Sequence, residues 1–262
     1  MTVIAVGNQA GSAGKTTLVV NAAARLVQLT GRPVRVIDLD AQGNASHWLG
    51  HPEPSGAPTV SDVLFHQAAI ADATRPVAAI DGLSVVPARQ AEMEGADVTL
   101  SRILGGEQRL RLALEADAAR HGEVLTLIDC PGSLSTVTVA ALVAADVAVT
   151  VFAPGEKEAG GVSKFEDTVH KVAAAYNPRL RLAAVVPSIV PSSGSYYSDV
   201  LDQIREGWGE LVTPKIRRSV RVPEAYSAQQ PLVVFAPTEQ VTSDLDAVAR
   251  HMIAAGVVGV AR

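Results

Sequence analysis

The sequence has a single cysteine, Cys130, in 262 residues. That excludes an internal disulfide and any site that needs two thiolates from one chain, and a reducing cytoplasm is the expected setting. Long apolar runs are also lacking. The start, MTVIAVGNQAGSAGKTT, reaches glycine and polar residues after about five apolar positions, and the longest runs elsewhere are strand-sized. Neither export nor membrane insertion is expected. Lysine is scarce, with only Lys15, Lys157, Lys164, Lys171 and Lys215, and the net charge of −5 gives no global attraction to a polyanion. Nucleic-acid binding would therefore rest on a local basic patch.

Apolar residues are plentiful. At 48% hydrophobic against 19% charged, the chain can bury a sizeable core, and one domain over residues 1–262 is expected. Short β-branched runs recur at Val3 to Val6, Val34 to Ile37, Leu83 to Val86, Val124 to Ile128, Val147 to Phe152, Leu182 to Val186 and Leu232 to Phe235. Helix-length segments of 3.6-residue period lie between most of them, including Thr16 to Leu29, Gln108 to Ala119, Lys164 to Ala175, Ser198 to Trp208 and Ser243 to Ala255. Near-continuous apolar strands alternating with helices predict an α/β fold, a doubly wound and mostly parallel sheet with helices on both faces. Residues 51 to 80 read as less regular, and there is no internal repeat or low-complexity tail.

Ligands of such sheets bind beyond the carboxyl ends of the strands. The first run is followed by Asn8 to Thr17, the second by Asp38-Leu39-Asp40 and the fourth by Asp129-Cys130-Pro131-Gly132. Gly11, Ser12, Ala13, Gly14, Lys15, Thr16 and Thr17 read as a phosphate loop opening a helix, where backbone N–H groups and the helix N-terminus face an anion. Lys15 is placed for the β and γ phosphates of ATP, Thr16 for Mg²⁺ and Thr17 for the α phosphate. Gln9 stands where the full pattern has its first glycine, and an isolated Gly-Lys-Thr can be a plain turn with an exposed lysine. Two acidic strand ends argue against that. Asp129 is the expected support for Mg²⁺, and Asp38 or Asp40 could orient the water that attacks the γ phosphate. Each Asp alone would more simply be a cap or turn residue.

Taken together, Asn8 to Thr17, IDLDAQGNAS (Ile37 to Ser46), LIDCPGSLS (Leu127 to Ser135), LVAADVAV (Leu142 to Val149) and SVRVPEAYSAQQPLVVFAP (Ser219 to Pro237) resemble, in order and spacing, the boxes of ParA/MinD-type deviant Walker A ATPases. The resemblance covers nearly the whole chain. It implies a slow P-loop ATPase with Mg·ATP as ligand, and a homodimer that sandwiches two nucleotides. It further implies binding to non-specific DNA, a ParB-like or adaptor partner that stimulates hydrolysis, and a cytoplasmic, nucleoid-associated location without membrane contact. Position by position, Lys15 and Thr16 hold phosphate and Mg²⁺, Asp40 positions the attacking water, and Asp38 and Asp129 serve the metal.

One departure stands out. The family's motif begins with a lysine that reaches the partner's phosphates, and here that position is Ala10; carboxysome-positioning relatives called McdA share the absence. Lys157, in FAPGEKEAGG just after a strand, is the expected substitute, set against the plainer reading of a solvated lysine between Glu156 and Glu158. An arginine is the other candidate. Lys215, Arg217, Arg218 and Arg221 form the expected DNA-binding patch. Val186 and Pro187 end one strand and Pro214 to Ile216 are expected to follow another, the positions that wall the adenine in the family. His47 and His51 have the spacing of helix-borne metal ligands but no accompanying pattern. Tyr196, Tyr197 and Trp208 read as packing residues. A metabolic enzyme of the same superfamily and an ATP-binding dimer with little hydrolysis remain as alternatives. Iron proteins with two cluster cysteines are excluded by the single Cys130, and the C-terminal HMIAAGVVGVAR lacks the basic amphipathic face of a membrane-positioning MinD. No helix-turn-helix extension precedes Val3, so operator-specific repression is not expected.

Overall fold

The computed structural model describes residues 2–8, 13–52, 56–155 and 158–258. Seven strands are formed: β1 Val3–Gly7, β2 Val34–Asp38, β3 Arg75–Pro76, β4 Leu83–Val86, β5 Leu125–Asp129, β6 Val147–Phe152 and β7 Arg181–Pro187. They make one sheet in the order β3-β4-β2-β5-β1-β6-β7. Every pairing is parallel except that of β3 with β4. The described helices are α1 Lys15–Thr30, α2 Asn44–Trp48, α3 Val60–Leu64, α4 Ile70–Ala73, α5 Gln90–Met93, α6 Ala96–Arg102, α7 Arg109–His121, α8 Thr136–Ala144, α9 Glu158–Ala175, α10 Ser195–Trp208, α11 Arg221–Ser227, α12 Leu232–Phe235 and α13 Gln240–Ala254.

All residues of β1, β2, β5 and β6 are buried, which is why their sequences are mostly apolar runs, broken only by single polar residues such as Arg35 and Thr150, rather than alternating ones. Alternation survives in which side they face. Val3 and Ala5 join the core with α7, α8 and α9, whereas Ile4 and Val6 join the core with α1 and α13. Polar anchors fix the layers. Asp146 accepts the Val3 N–H at 2.8 Å, tying the entry of β6 to β1. Asn177 donates to the Val143 and Ala145 carbonyls at 3.1 and 2.7 Å, closing the C-terminus of α8. Arg35 of β2, 6% exposed, pairs with Asp117 of α7 at 2.8 Å, and this holds the helix on the sheet.

The fold class is the one expected, with two local differences. Leu232 to Phe235 is a helical turn, not a strand. Pro231 precedes it, and the Leu232 N–H donates to Asn21 Oδ1 of α1 at 2.7 Å, so the chain finds its partner on a helix rather than on a sheet edge. Only Leu232 of that run is fully buried and Val234 is exposed; four apolar residues do not by themselves separate strand from helix. Likewise no regular strand leads into Pro214 to Ile216, which is joined to the sheet side through the isolated bridges Val185 to Val212 and Val190 to Arg217. Among the described residues no helix is long and apolar enough to cross a membrane.

β1 ends on Gly7 because the buried Phe165 ring of α9 occupies the space where a Cβ would stand, 2.6 Å from its nearest ring carbon. Gly7→Ala therefore overpacks the core and is expected to cost about 1–3 kcal/mol. That corresponds to a melting temperature lowered by roughly 2–4 °C per kcal/mol, read by calorimetry or circular dichroism.

Candidate functional site at the carboxyl edge of the sheet

The turn from β1 into α1 is set by Gly14, whose φ of 90° suits glycine and whose Cα lies so close to Ser188 that an added Cβ would stand 2.6 Å from its Oγ. α1 begins at Lys15, and its first turn carries no acidic residue, so no side chain of that turn offsets the positive end of the helix dipole. Lys15 is 7% exposed. Its Nζ donates to Asn8 Oδ1 at 2.9 Å, and Asn8 Nδ2 donates in turn to the Val151 carbonyl at 3.1 Å. A neutral amide thus orients the ammonium without neutralising it.

Thr16 Oγ1 donates to Asp129 Oδ2 at 2.7 Å, linking the start of α1 to the end of β5. Asp129 Oδ1 is buried with no hydrogen-bond partner among the described residues. Directly across the ladder Asp38 pairs with Asp129, so two buried carboxylates end on adjacent strands. Burial, and then the charge of Asp38, push Asp129 well above the ordinary carboxylate range. Asp38 is raised to about 6, chiefly by burial. Two like charges beside one lysine, with one oxygen unsatisfied, fit a hard divalent cation that takes oxygen ligands. Among the described residues no group of three His, Cys, Asp or Glu surrounds such an ion, so a cation here would complete its shell with Thr16, water and ligand phosphate.

The two aspartates of the β2 edge differ. Asp38 Oδ2 accepts Ser46 N–H and Oγ–H at 2.8 and 2.7 Å, and its Oδ1 accepts the Asp40 N–H at 3.1 Å. This carboxylate holds the loop from β2 to α2 together and has little capacity left for a metal. Asp40 is half-buried, its carboxylate accepts, among the described residues, only the Gln42 N–H at 3.0 Å, and it lines a cavity of about 550 Å³ with Glu94 and Asp97. Of the pair, Asp40 is the one open to water. Cys130, next to Asp129, is fully buried; burial and then the Asp129 charge push its thiol up, which leaves it unreactive.

A second cavity of about 580 Å³ lies beside Thr17, walled by Ile189, Ile216, Val220 and Pro223 and reached by Arg218. Pro187, expected here, does not line it; its carbonyl accepts the Ile216 N–H at 2.8 Å and so fixes the wall from behind. Of Pro214 to Ile216 only Ile216 reaches the cavity. Ile189 has φ 54°, a left-handed backbone that costs a β-branched residue about 1–2 kcal/mol.

The basic segment divides in two. Arg217 is bound to Asp244 through Nε and Nη2 at 2.7 and 2.9 Å, and Arg221 pairs with Glu224 at 2.8 Å and Glu239 at 3.1 Å. Lys215 and Arg218 are exposed and form no ion pair among the described residues. Ala10, Gly11, Ser12 and Lys157 lie outside the described residues, while Ala13 is buried. His47 stacks on Tyr226 with centroids 4.5 Å apart, and His51 Nε2 meets the Pro76 carbonyl, so the two rings do not converge. Trp208 Nε1 donates to Glu166, tying α10 to α9.

From the sequence Asn8 reads only as the first residue of the segment after β1, and Ser188, Ile189 and Tyr226 are not singled out. Ser188 and Ile189 follow directly on strand β7, so the rule of reading strand ends would have found them. Tyr226, whose hydroxyl donates to Asn44 Oδ1 at 3.0 Å, sits 182 residues away and leaves no local signal.

A family model described as an AAA domain matches residues 1–182. The chromosome partitioning protein ParA of Caulobacter vibrioides is 36% identical over 237 residues, covering 89% of this chain and 86% of that protein. The sporulation initiation inhibitor protein Soj of Bacillus subtilis is 31% identical, covering 90% and 91%. Among solved structures, apo McdA of Cyanothece superposes with a TM-score of 0.84 at 20% identity over 96% of this chain and 99% of that one, a likeness of fold. A Mycobacterium smegmatis structure described as cobyrinic acid a,c-diamide synthase, with bound ADP and magnesium, has a TM-score of 0.74 at 31% identity over 87% and 92%. On this sheet order, this strand-end site and these relatives, the chain belongs to the ParA-like family of partition ATPases.

Proposed function

We propose that this protein is a Mg·ATP-driven switch that dimerises on nucleotide, binds DNA without sequence preference and positions a cargo, with hydrolysis stimulated by a ParB-like or adaptor partner. The observation that carries the reading is the Thr16 to Asp129 hydrogen bond beside the buried Lys15, with Asp129 Oδ1 left without a partner among the described residues. In this reading Lys15 and the first N–H groups of α1 hold the β and γ phosphates. Thr16 and Asp129 hold Mg²⁺, which when bound supplies charge neutralisation to the phosphates. Asp40, with spare acceptor capacity, orients the attacking water, and Asp38 keeps the Asp40 loop in place. The 580 Å³ cavity takes the base. Family membership supports the reading, as do the ParA names of the bacterial relatives.

Lys215 and Arg218, rather than Arg217 and Arg221, are assigned the principal DNA phosphate contacts, because the latter two are already neutralised by carboxylates. A cytoplasmic, nucleoid-associated protein follows from this reading. A metabolic function is favoured by one observation, the 31% identity to the structure described as a diamide synthase. Ala10 favours a third reading, a dimer that binds ATP with little turnover.

Light scattering in ADP, ATP and a slowly hydrolysed analogue, followed by DNA binding and turnover in each state, tests the proposal. The expected result is a doubling of mass with ATP and Mg²⁺ only, with DNA retained by that species and turnover raised by DNA and partner. A monomer in every state contradicts it, and a dimer without turnover selects the third reading. Arg218→Ala is expected to lower the slope of log affinity against log salt by about one. Arg217→Ala is expected to change that slope less, as measured by fluorescence anisotropy on duplex DNA.

A further inference from the structure

Ile189 is a β-branched residue held at φ 54°, a conformation that such residues adopt only where the surroundings impose it. The surroundings here are specific. Ser188 N–H donates to the Phe152 carbonyl at 2.7 Å and Ile216 N–H to the Pro187 carbonyl at 2.8 Å. Just beyond, Val190 N–H donates to the Ile216 carbonyl at 3.0 Å and Arg218 N–H to the Val190 carbonyl at 2.9 Å. Pro187 and Val190 are thus both laced to the 216–218 segment, and Ser188-Ile189 bulges out between them. The bulge delivers the Ile189 side chain into the wall of the cavity beside Thr17. It also places Ile189 Cγ1 3.7 Å, and Ser188 Oγ 2.6 Å, from where a Cβ on Gly14 would stand.

One residue therefore lines the apolar wall of the cavity and stands next to the space over Gly14, where the first turn of α1 begins. A slack loop here would let a ring of any size settle. The imposed conformation keeps the Ile189 side chain at a fixed distance from α1, and the other walls, Ile216, Val220 and Pro223, are apolar, the kind of lining a heteroaromatic ring packs on.

Resting on the nucleotide reading given above, we propose that Ile189 is a specificity-determining residue, which gauges the base by fixing the gap between the first turn of α1 and the cavity wall, favouring a purine over a pyrimidine. Its strained backbone is what makes the gap rigid. Ser188 is the positioning residue that seats this bulge on Gly14.

The experiment compares wild type with Ile189→Gly, which accepts positive φ and removes the side chain, and Ile189→Asn, which tolerates the same backbone and restores bulk without a branch at Cβ. Affinities for ATP, CTP and inorganic tripolyphosphate are measured by calorimetry, alongside the melting temperature without ligand. Ile189→Gly is expected to melt at or above wild type and to bind ATP about tenfold more weakly, the effect of one lost apolar contact. CTP and tripolyphosphate affinities stay near wild type, so the ATP to CTP preference collapses; Ile189→Asn recovers part of it. Unchanged ATP affinity and preference in Ile189→Gly would overturn the proposal. Equal losses for ATP and tripolyphosphate would also overturn it, because they would mark a disturbed phosphate loop rather than a lost base contact. If wild type binds neither ATP nor tripolyphosphate, the nucleotide-site reading itself fails, a result distinct from an intact wild-type site that is indifferent to Ile189.

Discussion

The hydrogen bond between Thr16 and Asp129 is the constraint around which the carboxyl edge is built. It joins the first turn of α1 to the last residue of β5 at 2.7 Å and leaves the second Asp129 oxygen buried and, among the described residues, unsatisfied. A buried unpaired carboxylate oxygen is costly, and Asp38 on the adjacent strand increases the cost. In the protein alone the two groups resist ionising together. Asp38 keeps its proton up to about pH 6 in the fold against 3.8 unfolded, so its stabilising contribution, complete below about pH 4, is lost as pH rises through 6. Above that pH the edge carries a charge that a divalent cation would offset.

The neighbouring elements divide the remaining work. Asn8 orients Lys15 without cancelling its charge, and Asp38 spends its oxygens on the Ser46 and Asp40 backbone and hydroxyl groups, which leaves Asp40 facing water. α2, which follows that loop, is clasped to α11 by the Tyr226 to Asn44 hydrogen bond and by Tyr226 lying between His47 and Trp48. The loop next to the phosphate site and the segment after the basic cluster are in this way one packed unit. Opposite, Ser188 and Ile189 fill the space over Gly14 that a Cβ would need, so this position accepts only glycine.

Much of this was legible in the residues. The apolar runs of β1, β2, β5 and β6 located the central strands because burial on both faces leaves no room for polar alternation. Strand-end reading then found Lys15, Thr16, Asp40 and Asp129. The rest depended on distance. Leu232 to Phe235 has strand composition but is claimed by Asn21, 211 residues earlier. Arg217 and Arg221 look as free as Arg218 in sequence, and only the fold brings Asp244 and Glu239 against them. Ile189 carries no mark of a left-handed residue, since the glycine or asparagine that would announce one is absent; its conformation is imposed by pairings on both sides.

Calorimetric titration of ATP into wild type and Asp129→Asn, each with Mg²⁺ and with the metal chelated, tests the central claim most directly. Wild type should bind ATP far more tightly with Mg²⁺ than without, and Asp129→Asn should lose most of that difference while retaining the metal-free binding supplied by Lys15 and the α1 N-terminus. Equal affinity with and without Mg²⁺ in wild type, or an unaltered Mg²⁺ dependence in Asp129→Asn, would contradict it.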